Sequence, residues 1–283
     1  MSERGLLHWL ESAPERGRLA AWVAEEGGET VGWGEAFLRW DVEEPGLGFL
    51  WLGVREDARR RGIGTRLYEV AASHLVEAGA RRVESHTIDD PDGERFLAAR
   101  GFAKTRSEQC WSLDPRSADL ARAEELERAK AAEGYRLVPL TAVRDRPEEL
   151  FAVFSAAHAD VPADHTHVET YEDWTKTLWE YPDLDPDGSH VVLADDRPVA
   201  FAWIAVDREG GRGTHMMTGT ARDFRKRGLA RLAKLATIRW AAENGVTALL
   251  TENDSANRGM LALNAELGYE PTRTLQHFAK DVA

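Results

Sequence analysis

Apolar positions return along this chain with two periods, about 2 and about 3.6 residues, and the order in which they alternate lays out its elements. Residues 19–24 and 31–38 are apolar-rich runs around Glu26-Gly27-Gly28-Glu29, which predicts two strands and a turn. A strand at 49–54 leads through a basic turn to a helix over 65–78, then a strand at 82–88 and a short helix at 93–100. The run Gln109-Cys110-Trp111-Ser112-Leu113 is again strand-like.

Residues 114–134 are polar by comparison. Ser117 is positioned to cap a helix through Leu120, Leu126 and Lys130, and Gly134 to end it, so the stretch reads as a strut on the surface between two domains, 1–113 and 135–283. Past it the periods resume. Strands are expected at 135–140, 190–194, 199–206, 214–220, 247–252 and 274–278. Helices are expected at 147–157, 170–180, 231–243 and 257–266, the second with Tyr171, Trp174 and Leu178 on one face. Strands and helices in this order predict an α/β fold, with a mixed, largely antiparallel sheet flanked by helices in each domain.

The segment between the third strand and its helix carries the first chemistry. Leu52-Gly53-Val54 ends the strand; Arg59-Arg60-Arg61-Gly62-Ile63-Gly64 forms the turn. Glycine leaves amides bare, and the helix that follows points its partly positive N-terminus at them, which makes an anion site suited to phosphate. Thr218-Gly219-Thr220 and Arg225-Lys226-Arg227-Gly228-Leu229-Ala230 repeat the arrangement. Gly228 follows Gly62 by 166 residues, and Gly268-Tyr269 follows Gly101-Phe102 by 167, so the chain is an internal duplication. Two other phosphate loops fail: a dinucleotide G-x-G-x-x-G needs glycine at Leu67, and a Walker A loop needs Gly-Lys-Ser/Thr.

Arg59-x-x-Gly62-x-Gly64 and Arg225-x-x-Gly228-x-Ala230, each closed by a Gly-aromatic pair, resemble the acyl-CoA pyrophosphate loop of the GCN5-related N-acetyltransferases (GNAT), Q/R-x-x-G-x-G/A. The likeness covers most of the chain, as a tandem member. It implies two acyl-CoA N-acyltransferase domains, acetyl-CoA as co-substrate, a primary amine as acceptor, and direct attack on the thioester with the oxyanion held by strand amides. Both loops join the cofactor set, the second with Asn253 and Asn257. In that family an asparagine after the fifth strand contacts the cofactor, and a tyrosine seven residues later protonates the thiolate. Here the places hold Asn257 and Asn264, and in the first repeat Asp90 and Leu97. An amide donates a hydrogen bond but is no acid near neutral pH. The family also carries two helices that build the acceptor site. The first repeat has room for little more than 6–12, so it is read as truncated and weakened, and the second as the catalytic domain.

A protonated amine needs a base. Glu252, at the carboxyl end of its strand, is the first candidate, and His215 the second; Trp203 and Tyr171 are candidates for an acceptor pocket or simply core. Absence of the tyrosine from both repeats leaves one rival, a non-catalytic acyl-CoA-binding or scaffold protein.

Composition narrows the setting. The 283 residues are 43% apolar and 30% charged, ordinary for a globular protein, with no apolar run of transmembrane length. A net charge of −13 argues against nucleic acid as a partner and is compatible with a cationic acceptor. One cysteine, Cys110, rules out an internal disulfide, and a cytoplasmic home is the default expectation, as monomer or homodimer. No metal is assigned: His158, Asp160, Asp164, His165 and His167 match no common spacing. The Asp183-x-Asp185-x-Asp187-Gly188 run opens like a calcium loop but lacks its glutamate at Ala194.

Overall fold

The computed structural model describes residues 2–282. Helix α1 (Glu3–Ser12) precedes strands β1 (Ala20–Glu26), β2 (Glu29–Leu38) and β3 (Leu47–Val54), then helix α2 (Ile63–Glu77), β4 (Arg82–Ile88), α3 (Pro91–Ala98) and β5 (Ala103–Leu113). Helix α4 (Leu120–Ala132) leads to β6 (Tyr135–Pro139), α5 (Pro147–His158) and α6 (Tyr171–Trp174). After these come β7 (His190–Ala194), β8 (Arg197–Asp207), β9 (Arg212–Thr220), α7 (Leu229–Glu243), β10 (Ala248–Asp254), α8 (Arg258–Glu266) and β11 (Glu270–Asp281).

The chain forms two compact units, and they do not follow the expected boundaries at 113 and 135. The larger gathers residues 2–9, 108–163 and 170–273; the smaller gathers 10–107, 164–169 and 274–282. In the smaller, β1, β2 and β3 are antiparallel neighbours, β3 is parallel to β4, and β4 takes the C-terminal strand as its antiparallel partner, Leu275 to Asp281 against Ile88 to Arg82. In the larger, β6, β7, β8 and β9 are antiparallel, β9 is parallel to β10, and β10 takes Glu108 to Leu113 of β5. Each unit therefore closes its sheet with the last strand of the other repeat. A strand's period of two says which face is buried and leaves its partner unnamed, which is why the sequence boundaries do not coincide with the units.

Two other stretches depart from expectation. The N-terminal helix belongs through residue 9 to the larger unit: Asp183 accepts from the Ser2 amide at 3.0 Å and the Ser2 hydroxyl at 2.7 Å, and Arg4 donates to it at 3.0 Å. Gly5 fits there because a Cβ would lie 2.5 Å from the Tyr181 hydroxyl. The expected strut α4 packs within the larger unit, with Ala123 buried and Leu126 against two of its core clusters. Its cap is Asp119, which accepts from the Arg122 amide; Ser117 lies in the 3-10 turn before it.

The core of the larger unit is aromatic. Trp174 and Trp203 are fully buried with Phe154, Trp179 and Phe201, so Trp203 is core and lines no acceptor pocket. Truncating one such ring costs about 3–5 kcal/mol. Tyr171 and Leu178 pack on that cluster, although the predicted 170–180 helix is α6 followed by a π-helical turn, Thr175–Trp179.

Candidate acyl-donor sites

The loops after β3 and β9 have one backbone conformation. Arg59 (φ −64°, ψ 161°) and Arg225 (φ −67°, ψ 160°) are extended; Arg60 (φ 62°) and Lys226 (φ 60°) are left-handed, as are Gly62 (φ 85°) and Gly228 (φ 77°). Left-handed residues alternating in this way turn successive N–H groups to one side, into the concavity that binds anions, at the N-terminus of α2 or α7. The side chains repeat too. Arg59 Nε donates to the Val54 carbonyl and Arg225 Nε to that of Thr220, both at 3.1 Å. Arg61 and Arg227 donate to the Asp57 and Asp223 carbonyls. The first and third bases of each loop thus brace it, and the amides are left to meet the anion.

Bracing uses nearby acids. Arg60 pairs with Asp92 at 3.0 Å and Arg61 with Glu26 at 2.7 Å. In the second loop Asp160 takes Arg222 at 2.8 Å and Arg225 at 2.7 Å, and those guanidiniums hold its carboxyl down at about 2. Gly219 is buried for packing: a Cβ there would meet Ala157 and Phe201 at 2.7–2.8 Å. Leu229 also turns its side chain into core, so only its backbone is left to a ligand.

Beside each loop the parallel strands part. Pairing of β3 with β4 stops at Phe49–Glu84, and pairing of β9 with β10 stops at Thr214–Leu250. In the smaller unit a cleft of about 590 Å³ lies there, lined by Trp51, Leu52, Val54, His86, Phe96 and the loop residues Arg59, Arg60, Gly62 and Gly64, among others.

In the larger unit a chain of polar side chains joins β9, α7, α8 and β10. His215 Nε2 on β9 and the Tyr269 hydroxyl share a 2.8 Å hydrogen bond. The Lys234 ammonium on α7 lies 4.8 Å from the Tyr269 ring centroid and donates to Asn264 Oδ1 on α8. Asn264 Nδ2 donates in turn to Asn253 Oδ1 on β10 at 2.6 Å. Burial pushes His215 well below and Tyr269 well above their usual values, keeping both neutral.

Asn264 is thus a fully buried member of a chain, and His215 a buried partner of Tyr269. Asn257 caps α8 by accepting from the Met260 amide, as Asp90 caps α3. Glu252 is exposed at the end of β10, 3.7 Å from the Cys110 thiol that donates to it. Burial, then Glu252, raises that thiol to about 11, which makes Cys110 an inert donor. Asp160 goes to the second loop, His165 lies near Glu84 and His167 near Asp41, and Asp183 and Asp185 take amide and guanidinium donors. Sequence reasoning missed Lys234, whose signal was a lone cation inside Leu232-Ala233-Lys234-Leu235-Ala236.

A profile described as the acetyltransferase (GNAT) family matches residues 2–102 and 149–269. The chain belongs to the GNAT acetyltransferase family, as a tandem member. It is similar to the mycothiol acetyltransferases of Kytococcus sedentarius (29% identical over 225 residues, 76% of this chain and 69% of that protein) and Pseudarthrobacter chlorophenolicus (26% over 241 residues, 81% and 69%). Among solved structures it resembles a tandem GNAT protein from the clavulanic acid biosynthesis pathway, with TM-score 0.74 and 20% identity over 99% of this chain and 88% of that one. A GCN5-related N-acetyltransferase from Sphaerobacter thermophilus gives TM-score 0.69 and 16% identity over 99% and 85%. These two share the fold. No helix among the described residues is long and apolar enough to cross a membrane.

Proposed function

We propose that this GNAT enzyme transfers an acetyl group from acetyl-CoA to a primary amine. The observation that carries the reading is the pair of loops with matched φ, whose amides and helix N-termini suit a pyrophosphate twice over. The larger unit is the proposed reaction centre, because Glu252 stands exposed at the end of β10 beside the Asn253–Asn264 pair. Glu252 accepts the proton of the attacking amine, directly or through one water. The nitrogen bonds to the carbonyl carbon, the carbon–sulfur bond breaks, and the partly exposed Asn253, whose amide the buried Asn264 orients, offers an N–H to the departing thiolate, which solvent protonates. Amine and thioester become amide and thiol.

The open cleft of the smaller unit favours a second reading, with the donor used there and His86 on β4 as the base. Gly62→Glu and Gly228→Glu separate the two. Either glutamate strains a left-handed position and puts a carboxylate where the phosphate would sit. With acetyl-CoA and a panel of amines, thiol release followed by mass detection should fail in Gly228→Glu and persist in Gly62→Glu. The reverse result moves the reaction to the smaller unit. No turnover with any amine would leave acyl-CoA binding, read by calorimetry, as the activity.

A further inference from the structure

A buried lysine is costly, so one without a carboxylate partner calls for a reason. Lys234 is 0% exposed and, among the described residues, its ammonium donates to one group, the Asn264 carbonyl oxygen. The Tyr269 ring adds only a weak face for the cation.

An asparagine amide fits its site either way round unless a neighbour decides. A lysine ammonium donates and never accepts, so it must face the oxygen. Asn264 Nδ2 then has to point the other way, and one of its two hydrogens goes to Asn253 on β10. We propose that Lys234 is a positioning residue: its charge fixes the buried Asn264 amide with an N–H on the Asn253 oxygen, which turns the N–H groups of the partly exposed Asn253 outward at the end of β10, where they receive the departing thiolate. This role rests on the reaction centre proposed above.

The groups around the ammonium make it a switch. Burial lowers Lys234 to about 7. His215 from β9 and Tyr269 after α8 are the titratable groups that share its enclosure, and both stay neutral. Elsewhere along α7, His190 faces Thr237 from β7, Glu127 of α4 pairs with Arg239, and Glu266 of α8 pairs with Arg231. None of these acids pairs with Lys234. Once the proton leaves, the amine can accept as well as donate, and Asn264 loses its enforced orientation. Rate therefore gains an alkaline limb centred where Lys234 titrates, in addition to the acid limb that the base sets.

The first test needs no substrate. In the 15N-labelled full chain, the Asn264 side-chain amide signals should move with a midpoint near Lys234's own, and stay fixed in Lys234→Met. A signal that does not titrate in the natural protein, or titrates equally in Lys234→Met, overturns the proposal. Should Lys234→Met fail to fold, Asn264→Asp gives the ammonium a counter-charge and must raise the Lys234 midpoint, followed by 15N signals of its Nζ; an unmoved midpoint also overturns it. With acetyl-CoA and n-butylamine as the probe, Lys234→Met should lower kcat about 10-fold or more. It should also erase the alkaline limb, leave the KM for acetyl-CoA within about twofold, and add nothing on top of Asn264→Ala. A loss that adds in full to Asn264→Ala makes Lys234 a packing residue only. Failure of every amine would refute the reaction centre while leaving the NMR result to decide on Lys234.

Discussion

The two strand gaps start from the same backbone and have different side chains around them. Beside β3 and β4 stand Trp51, Leu52 and Phe96 around open space. From β9 through α7 and α8 to β10 run His215, Tyr269, Lys234, Asn264 and Asn253, joined by hydrogen bonds and a cation over a ring. Duplication copied the loops closely because their φ angles admit few alternatives. The gaps were free to diverge because side chains there answer to packing and chemistry. A cation does sit near the Gly-aromatic ring in both units, but from different elements. It is Lys234 of α7 over Tyr269 in one and Lys280 of β11, 5.0 Å from Phe102, in the other. Lys280 also donates to the Tyr68 hydroxyl at 2.6 Å.

The sharpest way to break this comparison is the glycine pair. Gly228→Glu should reduce turnover at least about 10²-fold, and Gly62→Glu far less, read as thiol release under saturating amine. Equal losses would mean that the gaps work alike. Next comes Glu252→Gln, which should lower kcat by about 10²-fold and move its acid limb upward, since free amine substitutes for the base at high pH. An unchanged pH–rate profile between mildly acidic and alkaline pH would remove Glu252 from the mechanism.

Stability offers a third measurement. The folded protein holds Lys234 near 7 where an unfolded lysine titrates at 10.5, so the unfolded state binds more protons between these values. The burial cost is full below about pH 7 and is relieved as pH rises toward 10.5. Lys234→Met should thus raise Tm, by an amount corresponding to at most about 5 kcal/mol, and more at pH 6 than at pH 9. A lower Tm at both values would show that the ammonium stabilises the fold. The smallest effect belongs to Asp160→Asn. Arg222 and Arg225 hold Asp160 at about 2, so its contribution exists above the ordinary carboxylate range and fades as pH falls toward 2. The group is a third exposed, so the substitution should cost less than about 1 kcal/mol at neutral pH. It should also tighten CoA binding at the second loop a few-fold by calorimetry.

Much of this was legible in the sequence. The turn chemistry of Gly62 and Gly228 and the helical and strand periods located nearly every element, because these signals are local. Partners were not legible. Nothing in Arg82–Ile88 states that Leu275 will lie beside Ile88, nor does the polar composition of 114–134 reveal that Ala123 and Leu126 are covered. The candidate site divided likewise. Gly62, Gly228, Arg59 and Arg225 could be read from spacing, and Glu252 from its strand end. Asn257 is expected at the cofactor from the resemblance, and its side chain caps α8. Asn264 stands where the family has its tyrosine, and its burial against Lys234 depends on how α7 and α8 meet, which no single-helix pattern encodes.

The closing strand of the smaller unit has a consequence for synthesis. Ile88 leaves the ribosome long before Leu275 exists, and at about 5–20 residues per second the wait is roughly 10–40 s. Until then β4 presents a bare edge, open to any extended chain nearby. The first repeat is made first and finished last, so a nascent chain truncated before residue 274 would carry an N-terminal half that cannot complete its sheet.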